Sequence, residues 1–396
     1  MTENTCCGPS AAPPPTASCC CGSTQETREP APSAERSACC GADPLREDYV
    51  YGPAPYLTGE IPTPIGPVPR LSTKLTRADR LGAWRMRWGI ARDDYRVRPN
   101  LYALGDPVAA SPVLVTANYK LTLDALRGAL PDLDAWVLVV DTRGINVWCA
   151  AGKGTFSADE VARMVEETRL AEVVEHRRLV LPQLAAPGVA AHRLKEACGF
   201  RVTYGPVRAS DIPRFVAAGM KADAGMRTVS FDLDERLVLA PAELNYLWNR
   251  RLLLAYAGVI AASSIDGDGI SLRRGLRRGL PVVGAAGLAV LAGGAITPVL
   301  LPWLPGRAFS LKGATAGAGV ALATDALLRR RLTPAARLAL LAGVPAFASY
   351  AAMNFTGSSP ITSPSGVERE MRRALPLQMA GAAVAVGGWL ASRLGR

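Results

Sequence analysis

A chain of 396 residues whose composition shifts twice along its length argues for two or three domains rather than one globular core. Its net charge of +11 is carried mostly by arginines at the edges of apolar segments, the pattern of membrane flanks and not of a nucleic-acid groove. Aromatic residues make up only 6% and do not interleave with the basic runs, so no nucleic acid is expected as a partner.

Residues 1–45 are rich in Pro, Ala, Ser, Thr and Gly, with too few large apolar side chains to offset the entropy of ordering, so they read as a disordered tail. The tail carries seven of the nine cysteines: Cys6, Cys7, Cys19, Cys20, Cys21, Cys39 and Cys40. The chain does not open on a basic segment followed by an apolar stretch and a cleavage site, so this part is expected to stay in the reducing cytoplasm. There the cysteines are thiols for metal or redox chemistry, not a disulfide framework. Residues 46–75 form a Pro-rich lead-in, with regular structure expected after Ser72.

In residues 76–242, short apolar runs at Val113–Ala117, 136–141, 179–181 and Arg201–Tyr204 alternate with helical stretches at 122–130, 157–170, 189–197 and 211–218. That alternation predicts an α/β domain of parallel strands and crossover helices. The helix starting at Ser157 is the best marked: Ser157 and Glu160 have capping-box spacing, and Val161, Met164, Val165 and Thr168 share one face.

Residues 243–396 predict an all-α transmembrane bundle. Three stretches, 281–305, 338–355 and 374–392, are uncharged and near the length that crosses roughly 30 Å of hydrocarbon. Phe309–Leu328 makes a fourth span, with Lys312 and Asp325 near its ends. A weak first segment at 244–264 is cut by Arg250 and Arg251. The clusters Arg273, Arg274, Arg277, Arg278 and Arg329, Arg330, Arg331 should lie inside; four spans satisfy this with both termini cytoplasmic, and five do not. The expected location is the inner membrane, multi-pass, with the α/β domain on the cytoplasmic side.

One cysteine stands apart. Cys149, in Asn146-Val147-Trp148-Cys149-Ala150-Ala151-Gly152-Lys153-Gly154, lies between the strand at 136–141 and the helix at Ser157. Ligands bind at such carboxyl ends of strands in open α/β sheets. A thiolate there suits a soft metal, Lys153 and a helix N-terminus favour that form, and Gly152 and Gly154 let the backbone approach a large planar ring. The same residue type beside a Trp is equally at home as a small core side chain. A phosphate loop is excluded by spacing, because Val147 and Gly154 occupy the places of its first Gly and its Ser or Thr.

The segment Asn146–Gly154 resembles the signature of the mercury-methylation corrinoid protein family, which is related to the corrinoid iron–sulfur protein of the acetyl-CoA pathway. The resemblance continues through 113–120, 141–144, 204–209 and 352–357, and so covers most of residues 70–396. It implies a Rossmann-like corrinoid-binding domain in which Cys149 is the lower axial ligand of cobalt, presented by a short cap helix. The implied site adds Thr116, Asn118, Tyr204 and Gly205 to Asn146, Val147, Trp148, Ala150, Gly152, Lys153 and Gly154. Neither His176 nor His192 stands in the Asp-x-His-x-x-Gly pattern of His-ligated corrinoid proteins. The implied activity is corrinoid-dependent methyl transfer to Hg(II). A folate-linked methyltransferase would be the methyl source, and a small ferredoxin with two [4Fe-4S] clusters the electron donor.

The tail departs from that pattern. Its seven cysteines are suited to capturing Hg(II), with arsenic or zinc binding, or no specific role, as alternatives. Two other functions stay open: a corrinoid methyl carrier of acetyl-CoA-type one-carbon metabolism with a different acceptor, and a non-enzymatic soft-metal binder.

Overall fold

Strands form where apolar residues run without interruption, since a strand covered on both faces needs no polar side. The computed structural model describes residues 54–92, 94–245, 250–266, 269–355 and 364–394. The seven tail cysteines, Thr356 and Gly357 lie outside them. One sheet holds seven strands: β1 (Leu57–Thr63), β2 (Gly66–Leu71), β3 (Asn100–Leu104), β4 (Val113–Ala117), β5 (Ala135–Val140), β6 (Arg178–Leu181) and β7 (Arg201–Tyr204). Their order is β1-β2-β3-β5-β4-β6-β7. The four strands expected from the sequence are β4 to β7, and they are mutually parallel.

The sheet as a whole is mixed, which corrects the expectation of parallel strands alone. β3 runs antiparallel to β5, and the hairpin β1–β2 extends that edge. Regular structure therefore starts well before Ser72, inside the Pro-rich lead-in. Its prolines are tolerated because β1 is an edge strand and β2 pairs with β3 only through Arg70 and Leu71, beyond Pro67 and Pro69.

Helices cover both faces: α1 (Arg77–Arg87), α2 (Lys120–Ala129), α3 (Val147–Gly152), α4 (Ala158–Glu167), α5 (Leu170–Val173), α6 (Ala191–Cys198) and α7 (Ile212–Ala217). Val113, Val115 and Ala117 of β4 face a core shared with α3, α4 and α6, whereas Leu114 faces Leu123, Leu126, Ile212 and Phe215 of α2 and α7. At α4 the Ser157 side chain accepts from the Glu160 amide as expected, but Glu160 does not complete the box. Its carboxylate instead accepts from the Asp141 amide at 3.1 Å and from Arg163.

The C-terminal region is helical: α8 (Leu233–Leu237), α9 (Ala240–Leu244), α10 (Arg250–Ser264), α11 (Leu272–Leu291), α12 (Thr297–Val299), α13 (Phe309–Leu328), α14 (Pro334–Asn354) and α15 (Pro364–Leu394). A π-helical segment, Ala292–Ile296, joins α11 to α12. Among the described residues, three stretches are long and apolar enough to cross a membrane: Leu272–Val299, Pro334–Asn354 and Ser365–Arg393. The expected span at 281–305 thus begins earlier and stops earlier. The fourth expected span, α13, is long enough but not apolar enough, because small and polar residues dilute its leucines around Lys312 and Asp325.

Gly275 and Gly279 of α11 take Ser264 and Ile260 of α10 at close range, so α10 runs back along α11. Arg208, just beyond β7, pairs with Glu235 of α8 at 3.0 Å, and Arg236 Nη1 of the same helix donates to the carbonyls of Pro298 at 2.8 Å and Val299 at 3.3 Å, so the α/β part is tied through α8 to the end of α12. The clusters at Arg273–Arg278 and Arg329–Arg331 lie at the opposite helix ends, joined there by Arg393, which donates to Ala262 and Ile265.

Glu243 of α9 is wedged against Gly294 of the π-helical segment, with one carboxylate oxygen buried and unpartnered among the described residues. Burial pushes its carboxyl up to about 7, against the pull of Arg92. The native state therefore holds this proton more tightly than the unfolded chain, and stability is lost as pH rises from about 4.5 to about 7. Glu243→Gln should stabilise the detergent-solubilised protein at pH 8, by up to about 3 kcal/mol. Near pH 5 it should change little, and melting curves at the two pH values check both.

Candidate corrinoid site

The loop after β5 is shaped from beneath by one fully buried side chain. Asn118, directly after β4, accepts from the Thr142 amide at 3.1 Å and the Gly144 amide at 2.9 Å, and donates to Asp141 Oδ1 at 2.9 Å. The Thr142 hydroxyl lies 2.9 Å from the same Asn118 oxygen and 2.7 Å from the Ile145 carbonyl. Arg143 and Gly144 both take left-handed backbone, φ 59° and 71°, a reversal this network holds in place. The family resemblance puts Asn118 against a cofactor; in the fold it is 0% exposed, with its side chain bonded to Asp141, Thr142 and Gly144 of the loop. Asn118→Leu would leave the Thr142 and Gly144 amides unpaired, at about 1–3 kcal/mol each. It should lower Tm and loosen protection of residues 141–149 in hydrogen exchange.

That loop delivers α3. Asn146 is its N-cap, and its side chain accepts from the Cys149 amide at 2.9 Å. Val147, Ala150 and Ala151 turn into the core, which leaves Trp148 and Cys149 half-buried on the outer side. The back of α3 meets Gly188, where a Cβ would stand 2.7 Å from Ala151 Cα, so a glycine there lets α3 lie flat on the fold. Cys149 is a free thiol. The Tyr119 hydroxyl, at the N-cap of α2, bonds Met86 Sδ of α1 at 2.7 Å. Burial pushes that phenol up, Arg92 and Arg87 oppose the rise, and Tyr95 and Cys149 add to it.

Beside α3 opens a cleft of about 350 Å³. It exists because the β4–β6 ladder pairs only Val113 with Leu179 and Leu114 with Val180, and the strands part beyond that point. The helix after β4 leads to β5 on one side and the helix after β6 leads to β7 on the other, so this is the switch point of the parallel strands. Thr116, Asn146, Val147, Trp148 and Gly205 line the cleft. Pro182, Pro206 and Val207, which sequence reasoning missed, complete its wall. The signal available for them was a Pro or Gly-Pro following each strand.

The other expected residues are not in the wall. Ala150 is buried beneath it, and the Tyr204 hydroxyl is spent on the Val189 carbonyl. Gly152, Lys153 and Gly154 are exposed at the far end of α3, where Lys153 is the C-cap and Gly154, at φ 75°, makes the turn out of the helix. His176 bonds the Ser111 carbonyl at 2.9 Å, at the amino end of β4 and so across the sheet from the cleft. The Cys198 thiol donates to Leu194 O at 3.3 Å, and burial pushes it up.

Residues 88–216, which contain β3 to β7, α3 and the cleft, match the family described as CO dehydrogenase/acetyl-CoA synthase delta subunit. The chain is 39% identical over 127 residues to an acetyl-CoA decarbonylase/synthase complex subunit gamma of Methanopyrus kandleri, covering 32% of this chain and 27% of that protein. It is 36% identical over 118 residues to the gamma subunit of Archaeoglobus fulgidus, covering 29% of this chain and 25% of the relative. It is 32% identical over 127 residues to the corrinoid/iron-sulfur protein large subunit of Moorella thermoacetica, covering 32% and 28%. The chain therefore spans about a quarter of the length of the curated relatives it matches. These similarities support the relation to acetyl-CoA-pathway corrinoid proteins rather than mercury methylation specifically, and the family match ends at residue 216, before the C-terminal helices.

The residues fit a corrinoid. The half-exposed Cys149 thiol follows Asn146, Val147 and Trp148 of the cleft wall on α3, neither described histidine is among the lining residues, and the wall is mostly apolar with few polar groups.

Proposed function

We propose that this chain is a corrinoid protein of one-carbon metabolism that passes a methyl group from a donor to an acceptor, with Cys149 as the lower axial ligand of cobalt. The observation that carries this reading is the position of the Cys149 thiol: it stands on an Asn146-capped helix whose first residues line the cleft between the parting parallel strands β4 and β6, inside the stretch similar to corrinoid proteins. The fold of residues 76–242 is on this reading Rossmann-like. When bound, the corrinoid supplies a cobalt that accepts and releases a methyl group, and thiolate donation suits a soft centre. Asn146 orients the ligand helix and Asn118 fixes the loop that carries it. Thr116, Trp148, Gly205 and Val207 wall a cleft sized for an appended nucleotide rather than for the macrocycle.

Among the described residues there is no group of three or more His, Cys, Asp or Glu that could hold a metal ion. On this reading the electron donor is a separate protein, a small ferredoxin with two [4Fe-4S] clusters, and the methyl source a folate-linked methyltransferase. The relatives' names favour an acetyl-CoA-type carrier role. A second reading, methyl transfer to Hg(II) with the tail cysteines capturing the metal, is favoured by one observation, the segment Asn146–Gly154 with its thiol ligand.

We further propose that the helical region is embedded in the inner membrane, with the α/β part in the reducing cytoplasm. Its apolar helices present Leu280, Leu291, Leu377, Val386 and Leu390 outward, which suits lipid. The arginine clusters at the remote ends then lie across the membrane, and reporter fusions after residue 275 and after residue 396 read out the sidedness. The deciding experiment for function supplies the purified, corrinoid-loaded protein with a methyl-folate donor system. Label is then followed to an acetyl-CoA synthase acceptor or to Hg(II). Absence of a bound corrinoid would leave only the soft-metal binder.

A further inference from the structure

Between α13, α14 and α15 lies a second cleft, of about 780 Å³, at the end of the bundle nearest the α/β part. Its walls are built from small and apolar residues, among them Ala314, Ala342, Ala346 and Gly381. Its mouth carries Arg307, Arg369 and Arg373, all exposed and all without a carboxylate partner among the described residues. The one carboxylate at the mouth, Glu370, is committed elsewhere, accepting from the Ser310 amide at 2.5 Å at the start of α13. Other arginines of the bundle are neutralised: Arg372 pairs with Glu368 at 2.6 Å, and Arg337 with Asp325 at 2.7 Å. Inside the cleft, Gln378 is 7% exposed; its amide nitrogen donates to Ser349 Oγ at 2.9 Å, and its carbonyl oxygen has no partner among the described residues.

Three unneutralised guanidiniums beside an apolar slot are complementary to one kind of molecule, an anion with a hydrocarbon tail. Guanidinium forks match phosphate oxygens, and a slot walled by Ala and Gly admits an acyl chain between helices. The unpartnered Gln378 oxygen adds a buried acceptor that a hydroxyl satisfies. We propose that this cleft binds an anionic phospholipid with a hydroxylated headgroup, phosphatidylglycerol in its simplest form, the phosphate held by Arg307, Arg369 and Arg373. The proposal rests on the reading that the bundle is membrane-embedded. It places the lipid in the leaflet facing the α/β part, so lipid occupancy would brace α13 against α15 under that domain.

The test is native mass spectrometry of the full-length protein in detergent micelles titrated with phosphatidylglycerol, phosphatidylcholine or inorganic phosphate. The expected result is one retained phosphatidylglycerol, with phosphatidylcholine bound far more weakly and inorganic phosphate not displacing the lipid. Each arginine replaced by Gln should weaken retention roughly fivefold, so Arg369→Gln/Arg373→Gln loses about 25-fold. Gln378→Leu should weaken it further, with melting curves confirming that each variant is folded. Equal retention of the two lipids, or full retention by the double variant, overturns the proposal. Displacement by phosphate alone overturns it too, in favour of a simple anion site. Carbonate extraction of native membranes reads the embedding separately, because release there defeats the membrane reading whatever the micelles show.

Discussion

On the proposed corrinoid reading, replacing Cys149 by Ala is expected to abolish methyl transfer while leaving the fold standing. The side chain is half-exposed and makes no side-chain hydrogen bond among those described, so the stability change should stay below about 1 kcal/mol. Partners one shell outside a metal ligand are worth roughly 10–100-fold, so loss of the ligand itself should cost at least about 100-fold in transfer rate. The absorption spectrum of the bound corrinoid should change at the same time, because the axial donor has been removed. Cys149→His separates ligation from bulk: it should restore a donor and a ligated spectrum while transferring more slowly. An unaltered spectrum and rate in Cys149→Ala would remove this residue from the cobalt.

The largest stability effect should come from a residue with no part in the chemistry. Arg127 of α2 is 0% exposed and its guanidinium reaches Asp124 at 2.7 Å, Asp79 at 2.9 Å and the Ser72 carbonyl at 2.6 Å. Lys120 joins the same two carboxylates, at 2.6 Å to Asp79 and 2.7 Å to Asp124. The four charges balance, and they fasten α1 and the end of β2 to α2. Arg127→Met would leave two buried carboxylates facing one lysine, at a cost of about 3–5 kcal/mol. A fall in Tm on the order of 10 °C follows, which calorimetry or circular dichroism reads directly.

The same cluster sets an acid limit. Burial by itself would raise the Asp79 carboxyl, but hydrogen bonds from Lys120, Thr76 and Arg127 outweigh it and hold the group well below the ordinary carboxylate range. Its contribution is present above the unfolded value of 3.8 and is lost as pH falls below it, the opposite sense to Glu243.

Much of the site is legible in the residues themselves. The resemblance over Asn146–Gly154 singles out Cys149, and the fold sets it on a short capped helix after β5. Five of the expected residues, Thr116, Asn146, Val147, Trp148 and Gly205, do meet around one cleft. Asn118 and Tyr204 lie in the expected region, with the Asn118 side chain bonded to loop residues 141–144 and the Tyr204 hydroxyl to the Val189 carbonyl. A residue's place in a motif says where it is and not what its polar atoms are bonded to.

The sequence by itself determined what depends on near neighbours. Uninterrupted apolar runs made β4 to β7, the spacing of Val161, Met164 and Val165 made the buried face of α4, and long uncharged stretches made the C-terminal helices. Only the tertiary structure decided the rest. Prolines concealed the hairpin β1–β2, because pairing at an edge depends on which partner is absent. Arg127 meets Ser72 across 55 residues and Asn118 meets Thr142 across 24, contacts that no local period encodes. The position of the arginine clusters relative to the α/β part was likewise fixed by Arg236 reaching Pro298, and not by the count of apolar segments.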